Sequence, residues 1–330
     1  MEIVFTEYVA VTDESSVGEV RRKAQAAARR LNLDETESGK LALLATEVSR
    51  NTLIHGGGGQ IVFAGSIGDT GSRVRVLALD KGSGIPNLAN AMSDGYSTAG
   101  TLGGGMGAMK RMSSALDIFT AQSGTIVMME LGETAQPGEM PIAGMAVPLQ
   151  GESVCGDGWC SYQTAERALI LLVDGLGHGI GAYEAAQEAI TVFKQRTNLK
   201  PGEILSYMHD ALRKTRGAVA AVAEIQPGNK RLVFAGVGNI SGVVLNGERS
   251  RSLASHNGTL GATALRIQEF QSGWSPNDIL IMHSDGIQSR WDLSSYKGLL
   301  ARHPFVIGGV LFRDFRRQRD DASVVVVKAG

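Results

Sequence analysis

The sequence predicts a two-domain α/β protein, and three observations carry that reading. The chain has 330 residues, enough for two ordinary domains with separate cores. Residues 132–150 hold three of the eight prolines, Pro137, Pro141 and Pro148, with scattered glycines and little helical periodicity, which reads as a linker. On both sides of it, short apolar runs rich in β-branched residues alternate with longer segments of helical spacing. The expected division is 1–132, a linker over 133–149, and 150–330. Because strands are numerous after the linker and two helices come consecutively, the second domain reads as an α/β sandwich of antiparallel sheets flanked by helices.

The elements follow in order. Ser15 or Ser16 can cap a helix running to about residue 31, and 35–53 forms a second, with Leu41, Leu44, Val48 and Thr52 at helical spacing. Strands are expected at 61–67 and 73–79. A glycine-rich loop then leads into a helix near 106–116, and strands at 117–121 and 125–130 close the first domain. In the second, a strand at 168–173 precedes helices at 182–196 and 201–216, the latter opening Pro-Gly-Glu as a first turn often does. Strands at 218–225, 231–237, 242–245, 279–284 and 323–328 complete it.

Composition narrows the function classes. A net charge of −1 gives no electrostatic case for nucleic acid or an anionic membrane. No apolar stretch reaches the roughly 20 residues of a bilayer span. The first ten residues carry Glu2 and Glu7 and no basic region, which argues against a secretory signal and for a cytoplasmic protein. Cys155 and Cys160 are too few for a disulfide framework or a four-thiolate zinc site and read as inert core residues.

Four aspartates carry the chemistry of the second half: Asp157 in Gly-Asp-Gly, Asp174 in Asp-Gly-Leu-Gly-His-Gly, Asp285 in Ser-Asp-Gly, and Asp320 in Asp-Asp-Ala-Ser. The last three each border a run that reads as a buried strand. Carboxylates at the ends of adjacent buried strands can converge, and they repel one another unless a cation sits between them. The pattern predicts two hard divalent ions and metal-assisted hydrolysis. Taken alone, Asp157 is also a natural turn residue, Asp321 competes with Asp320, and His178 is either a general acid or a loop residue. Arg313, Arg316, Arg317 and Arg319 either attract phosphate or form a solvated edge.

In the first domain, Glu47 and Asn51 project from one helical face. Asp80-Lys81-Gly82-Ser83-Gly84 follows an apolar strand, Gly103 to Gly107 precede a helix, and Gly124-Thr125 opens the last strand. This ordered set, over residues 1–132, resembles the GHKL (Bergerat) ATP-binding α/β sandwich and, within it, the anti-sigma-factor serine kinases. The resemblance implies ATP with Mg²⁺, held by Asn51. It gives Asp80 the adenine amino group with Thr125 nearby, and passes the chain under the base at Gly82 and Gly84. Gly103, Gly105 and Gly107 become a phosphate lid, and Glu47 the general base for an incoming serine. Lys110 and Arg111 can reach phosphate but fit a surface helix equally well. Histidine kinases need an upstream phosphoacceptor domain and the gyrase branch a transducer domain, so the serine-kinase branch fits best.

The four aspartates, with Gly236-Val-Gly-Asn239-Ile and His256-Asn-Gly, resemble SpoIIE-type (type 2C-like) serine/threonine phosphatases over 150–330. That resemblance implies two Mn²⁺ or Mg²⁺ ions bridged by Asp174, with the Gly175 carbonyl and Asp157, directly or through water, on one. Asp285 and Asp320 complete the other. The fusion as a whole resembles bacterial partner-switching and stressosome-like modules. It implies a bifunctional regulator that phosphorylates and dephosphorylates Ser/Thr of a STAS-type anti-anti-sigma partner. It leaves room for a sigma factor as a further partner and for a homo-oligomer. The alternative is an ATP-responsive, anti-sigma-like sequestering module fused to a phosphoserine/phosphothreonine phosphatase.

Overall fold

The computed structural model describes residues 2–68, 71–92, 105–133, 138–262 and 266–329. The chain divides into two units: Met1–Ala135 with Tyr296–Gly309, and Gln136–Ser295 with Val310–Gly330.

The first unit opens with a strand that the sequence reading lacked, β1 (Glu2–Val11), whose Phe5, Val9 and Val11 alternate into the core. Helix α1 (Glu14–Arg30) is capped by Asp13, not by Ser15 or Ser16. The Asp13 carboxylate accepts the Ser16 N–H at 2.9 Å, satisfying a donor at the open end of the helix. Helix α2 (Glu35–Gly56) ends at Gly57, whose φ of 70° only glycine adopts without strain. Then come β2 (Gly59–Ile67), β3 (Ser72–Asp80), the short α3 (Leu88–Ala91), α4 (Met106–Met112), β4 (Ala115–Ala121) and β5 (Gly124–Gly132). α4 stops short of the expected 116 because Ala115 and Leu116 pair with Glu130 and Met129 in the sheet. The antiparallel sheet runs β1-β2-β3-β5-β4. On one face Val74, Val76 and Ala78 meet Val20 and Ala24 of α1 and Leu41 and Leu44 of α2.

The other face is also apolar, with Leu77, Leu79 and Ile126 buried. Residues 296–309 belong to this unit: Gly309 lies so near Leu77 and Leu79 that a Cβ there would come within 2.9 and 3.0 Å of them. Asp117 accepts hydrogen bonds from Arg302 at 3.2 Å and from the His303 N–H at 2.6 Å. The expected assignment of the whole of 150–330 to the second domain therefore does not describe this segment. A sheet apolar on both faces needs cover on both.

The second unit begins inside the stretch expected as linker. Ile142–Val147 forms β6, an edge strand paired with the last strand of the chain, because its apolar residues find a sheet to complete. It is followed by β7 (Asp157–Gln163), β8 (Ala168–Gly175), α5 (Ile180–Gln195), α6 (Pro201–Ala211), β9 (Ala218–Gln226), β10 (Arg231–Val237), β11 (Ser241–Asn246), β12 (Arg249–Leu253), β13 (Glu269–Gly273), β14 (Ile279–His283), α7 (Pro304–Phe315), of which only the part from Val310 belongs to this unit, and β15 (Ala322–Lys328). Two antiparallel five-stranded sheets result, β13-β10-β9-β8-β7 and β12-β11-β14-β15-β6. Trp159 of β7 packs against the backbone of Gly144 in β6, where any side chain would collide with it and with Val325. α5 and α6 cover the outer face of the first sheet through Ala185, Ala189, Phe193 and Met208.

Candidate active sites

In the second unit the site is set by strand register. Asp157 pairs across the β7–β8 ladder with Asp174, so both carboxylates stand directly opposite on one face of the sheet, an arrangement that is unfavourable for like charges. In the second sheet, the β14–β15 ladder begins with His283 opposite Val324. Asp285 and Asp320 leave the adjacent strand ends just beyond. Gly286 lies against the Asp321 carbonyl, where no Cβ fits. Asp174, Asp285 and Asp320 line one cavity of about 390 Å³ together with Leu176, Gly177 and Asn239, and no cationic side chain lines it. Gly175 ends β8, next to Asp174.

A buried hydroxyl joins the two sheets here. Ser284 Oγ donates to Asp157 Oδ2 at 2.6 Å and accepts the Ser323 N–H at 3.1 Å. Asn239 Nδ2 donates to Asp285 Oδ2 at 2.8 Å. Asp321 is fully engaged elsewhere: Oδ1 takes the Leu149 N–H at 2.6 Å and Oδ2 the Gly156 N–H at 2.7 Å. Of the Asp-Asp pair, then, Asp320 faces the cavity while Asp321 fastens the segment that leads into β7. Sequence reasoning did not single out Ser284 or assign Asp321 this duty; the Ser-Asp-Gly run was the available signal for the first.

Burial, and then the charges of Asp157, Asp285 and Asp320, push Asp174 up to about 9. Burial pushes Asp157 up to about 7 against the lowering effect of the hydrogen bond from Ser284. Asp320 is raised by burial and by Asp285. Among the described residues, no three Asp, Glu, His or Cys side chains already close on one ion-sized point. The carboxylates surround the cavity instead. An all-oxygen set of carboxylates gathered around one cavity with no cationic side chain fits hard divalent cations such as Mg²⁺ or Mn²⁺.

The remaining candidates take other roles. His178 Nδ1 lies 2.6 Å from Glu152 Oε1 at the surface. Arg313 is buried and paired with Asp314 at 2.7 Å, which removes it from any phosphate-attracting edge. Arg316 donates to the Pro148 carbonyl. Cys160 is buried, and burial pushes the Cys155 thiol up, so neither is a nucleophile near neutral pH.

In the first unit, Asp80 ends β3 with Oδ1 accepting the N–H groups of Gly82 at 2.9 Å and Thr125 at 3.0 Å. Those bonds fix the carboxylate. Gly84 (φ 77°) sits against the Ala121 carbonyl and Gly124 (φ 122°) against that of Asp80, so the two turns framing Asp80 admit only glycine. Gly56, at the end of α2, packs directly on the Asp80 side chain. Glu47 and Asn51 lie half-buried on that helix, with Glu47 3.9 Å from Arg50. Gly105 precedes α4 and Gly107 is buried within it; Gly103 lies outside the described residues.

The sequence profile of Stage II sporulation protein E (SpoIIE) matches residues 164–329, half of the chain, and that of the histidine kinase-like ATPase domain matches 10–131. The serine/threonine-protein kinase RsbT of Bacillus subtilis (strain 168) is 29% identical over 116 residues, 35% of this chain and 84% of RsbT. The phosphoserine phosphatase RsbX of the same organism is 22% identical over 140 residues, 42% of this chain and 70% of RsbX. Among solved structures, a chain of the bacterial stressosome superposes with a TM-score of 0.53 at 26% identity, covering 58% of this chain and all of that one. The magnesium complex of RsbX superposes at 0.54 and 19% identity, covering 60% of this chain and 99% of RsbX, which shows a shared fold. No helix among the described residues is long and apolar enough to cross a membrane. The two domain types imply ATP and a divalent metal as cofactors. The chain belongs to the SpoIIE family of protein phosphatases and carries a GHKL-type, kinase-like ATPase domain ahead of its phosphatase domain.

Proposed function

We propose that the chain is a bifunctional regulator of a bacterial partner-switching pathway, phosphorylating and dephosphorylating Ser or Thr of a STAS-type anti-anti-sigma partner. The observation that carries the phosphatase half is the meeting of Asp174, Asp285 and Asp320 in one cavity, with Asp157 opposite Asp174. Two Mg²⁺ or Mn²⁺ ions bound there would supply an activated water and neutralise the phosphoryl group. Asp157 and Asp174, with the Gly175 carbonyl, would hold one ion. Asp285 and Asp320 would complete the other, Asp174 bridging both. Asn239 fixes the orientation of the Asp285 carboxylate, and Ser284 that of Asp157.

In the kinase half, Asp80, its Oδ1 held by two backbone N–H groups, would accept the adenine amino group, with Gly82, Gly84 and Thr125 around the base. Asn51 would hold Mg²⁺, Gly103, Gly105 and Gly107 would cover the phosphates, and Glu47 would take the seryl proton. A sequestering module that uses ATP only as a conformational ligand is favoured by one observation, the Arg50 guanidinium 3.9 Å from Glu47, which suits a surface ion pair. Incubating the full chain with a STAS protein and ATP/Mg²⁺, then removing ATP and adding Mn²⁺, separates the readings. Phosphoserine that appears in the first step and disappears in the second supports bifunctionality. Stable ATP-dependent binding without phosphoserine supports sequestration, and the absence of both phosphoserine and binding overturns both readings.

A further inference from the structure

Eight large apolar side chains are exposed among the described residues, and three of them, Leu176, Ile180 and Tyr183, fall within eight consecutive positions beside the metal cavity. Ile180 is 66% exposed at the first turn of α5, and Tyr183 follows one turn later on the same face. Leu176 is both exposed and part of the cavity lining, so the apolar surface continues into the site. Arg216 joins it. Its guanidinium covers Gly181, between Ile180 and Tyr183, so closely that a Cβ there would lie 2.5 Å from Nε, and Nη1 reaches the Gly177 side of the turn and the His178 carbonyl at 3.4 Å. The Leu176 N–H donates to the Gly217 carbonyl, which ties the arginine's turn to the turn that leaves Asp174. Arg216 is exposed and forms no ion pair among the described residues, whereas the neighbouring cavity is lined by three carboxylates and no cation.

We propose that Leu176, Ile180, Tyr183 and Arg216 form a docking ledge for the phosphorylated segment of a partner protein. The apolar trio takes an aliphatic side chain next to the phosphorylated residue, and Arg216 takes an anionic oxygen of the same segment. Two features argue for this occupant: the ledge is continuous with the cavity that receives the phosphoryl group, and its one cation complements a segment that carries negative charge into an acidic pocket. The inference rests on the phosphatase reading above and adds a substrate preference to it. A small aryl phosphate can reach the cavity without the ledge, whereas a protein substrate cannot avoid it.

The test uses the full-length chain with Mn²⁺ and three probes: p-nitrophenyl phosphate, a phosphoserine peptide with isoleucine on both sides of the phosphoserine, and the same peptide with glycine there. The wild type should favour the isoleucine peptide by about tenfold or more in kcat/KM, the discrimination typical of an apolar contact. Ile180→Ser should abolish most of that preference through KM while leaving aryl phosphate turnover unchanged. Arg216→Ala should raise KM for both peptides. If it raises KM for the aryl phosphate as well, the oxygen it binds is the phosphoryl group's; if not, it is a flanking carboxylate's. Equal efficiency on the two peptides, or a preference that survives Ile180→Ser, would overturn the ledge. Failure of the wild type to hydrolyse even the aryl phosphate would instead overturn the phosphatase reading beneath it.

Discussion

Metal binding at the four-aspartate site should be strongly linked to protons. In the metal-free chain Asp157 titrates at about 7 and Asp174 at about 9, both raised by burial. A cation that needs both carboxylates ionised must displace whatever protons they hold. At pH 6 that is about two protons, and at pH 8 about one. The apparent dissociation constant for Mg²⁺ should therefore fall by about two to three orders of magnitude from pH 6 to pH 8. Asp174→Asn keeps the shape, removes the higher of the two titrations, and should reduce that change to about tenfold or less on a much weaker baseline. Calorimetric titration with Mg²⁺ in buffers of different ionisation enthalpy reads both the affinity and the proton release. The same shifts fix the sign of a stability effect. Between pH 4 and 9 these two carboxyls hold more protons in the folded, metal-free chain than in the unfolded one, so their contribution to stability should fall as pH rises, by up to about 1.4 kcal/mol per unit for each group while it remains protonated in the fold. Saturating Mg²⁺ should flatten that trend, because the two carboxylates are then ionised in the folded and the unfolded chain alike. An affinity that changes less than about threefold between pH 6 and pH 8, with no proton release, would refute the reasoning.

Three further outcomes follow from named contacts. Ser284→Ala leaves Asp157 Oδ2 and the Ser323 N–H without their partner, so Mg²⁺ affinity should fall about 10–100-fold and Ser284→Thr should recover most of it; calorimetry on the three proteins decides. Asp321→Ala orphans the Leu149 and Gly156 N–H groups and should lower stability by about 1–3 kcal/mol for each, measured by urea unfolding, where an unchanged midpoint would deny the carboxylate its fastening role. Glu47→Gln should keep ATP affinity but slow phosphotransfer about 10²–10⁴-fold, while Asp80→Asn should weaken nucleotide binding itself; normal transfer in the first and normal affinity in the second would remove the kinase site.

The sequence showed the elements whose periodicity is their own and hid those whose stability depends on partners. The helices containing Glu47 and Ala189 and the strands from Ala168 and Val324 announce themselves through spacing and β-branched content. β6 did not, because a six-residue run between prolines becomes a strand only when β15 offers an edge. β7 stayed hidden because Gly156-Asp157-Gly158 reads locally as a turn, and only its pairing with β8 makes Asp157 the cross-strand neighbour of Asp174. α7 was missed because its run from Phe305 to Phe312 is apolar all round, without the polar stripe that marks a helix. The candidate aspartates were legible from their strand-end positions; Ser284 and Asp321 were not, since a hydrogen bond spanning 127 or 165 residues leaves no local trace.

The four carboxylates come from two different layers of the sandwich, Asp157 and Asp174 from one sheet and Asp285 and Asp320 from the other. An ion held by all of them is therefore a rivet through the sandwich, with the Ser284–Asp157 bond as the stitch that remains when the rivet is out. Spacing between the layers and ion occupancy then become reciprocal variables: whatever pries the sheets apart expels the ion, and whatever loads the ion draws them together by the same free energy.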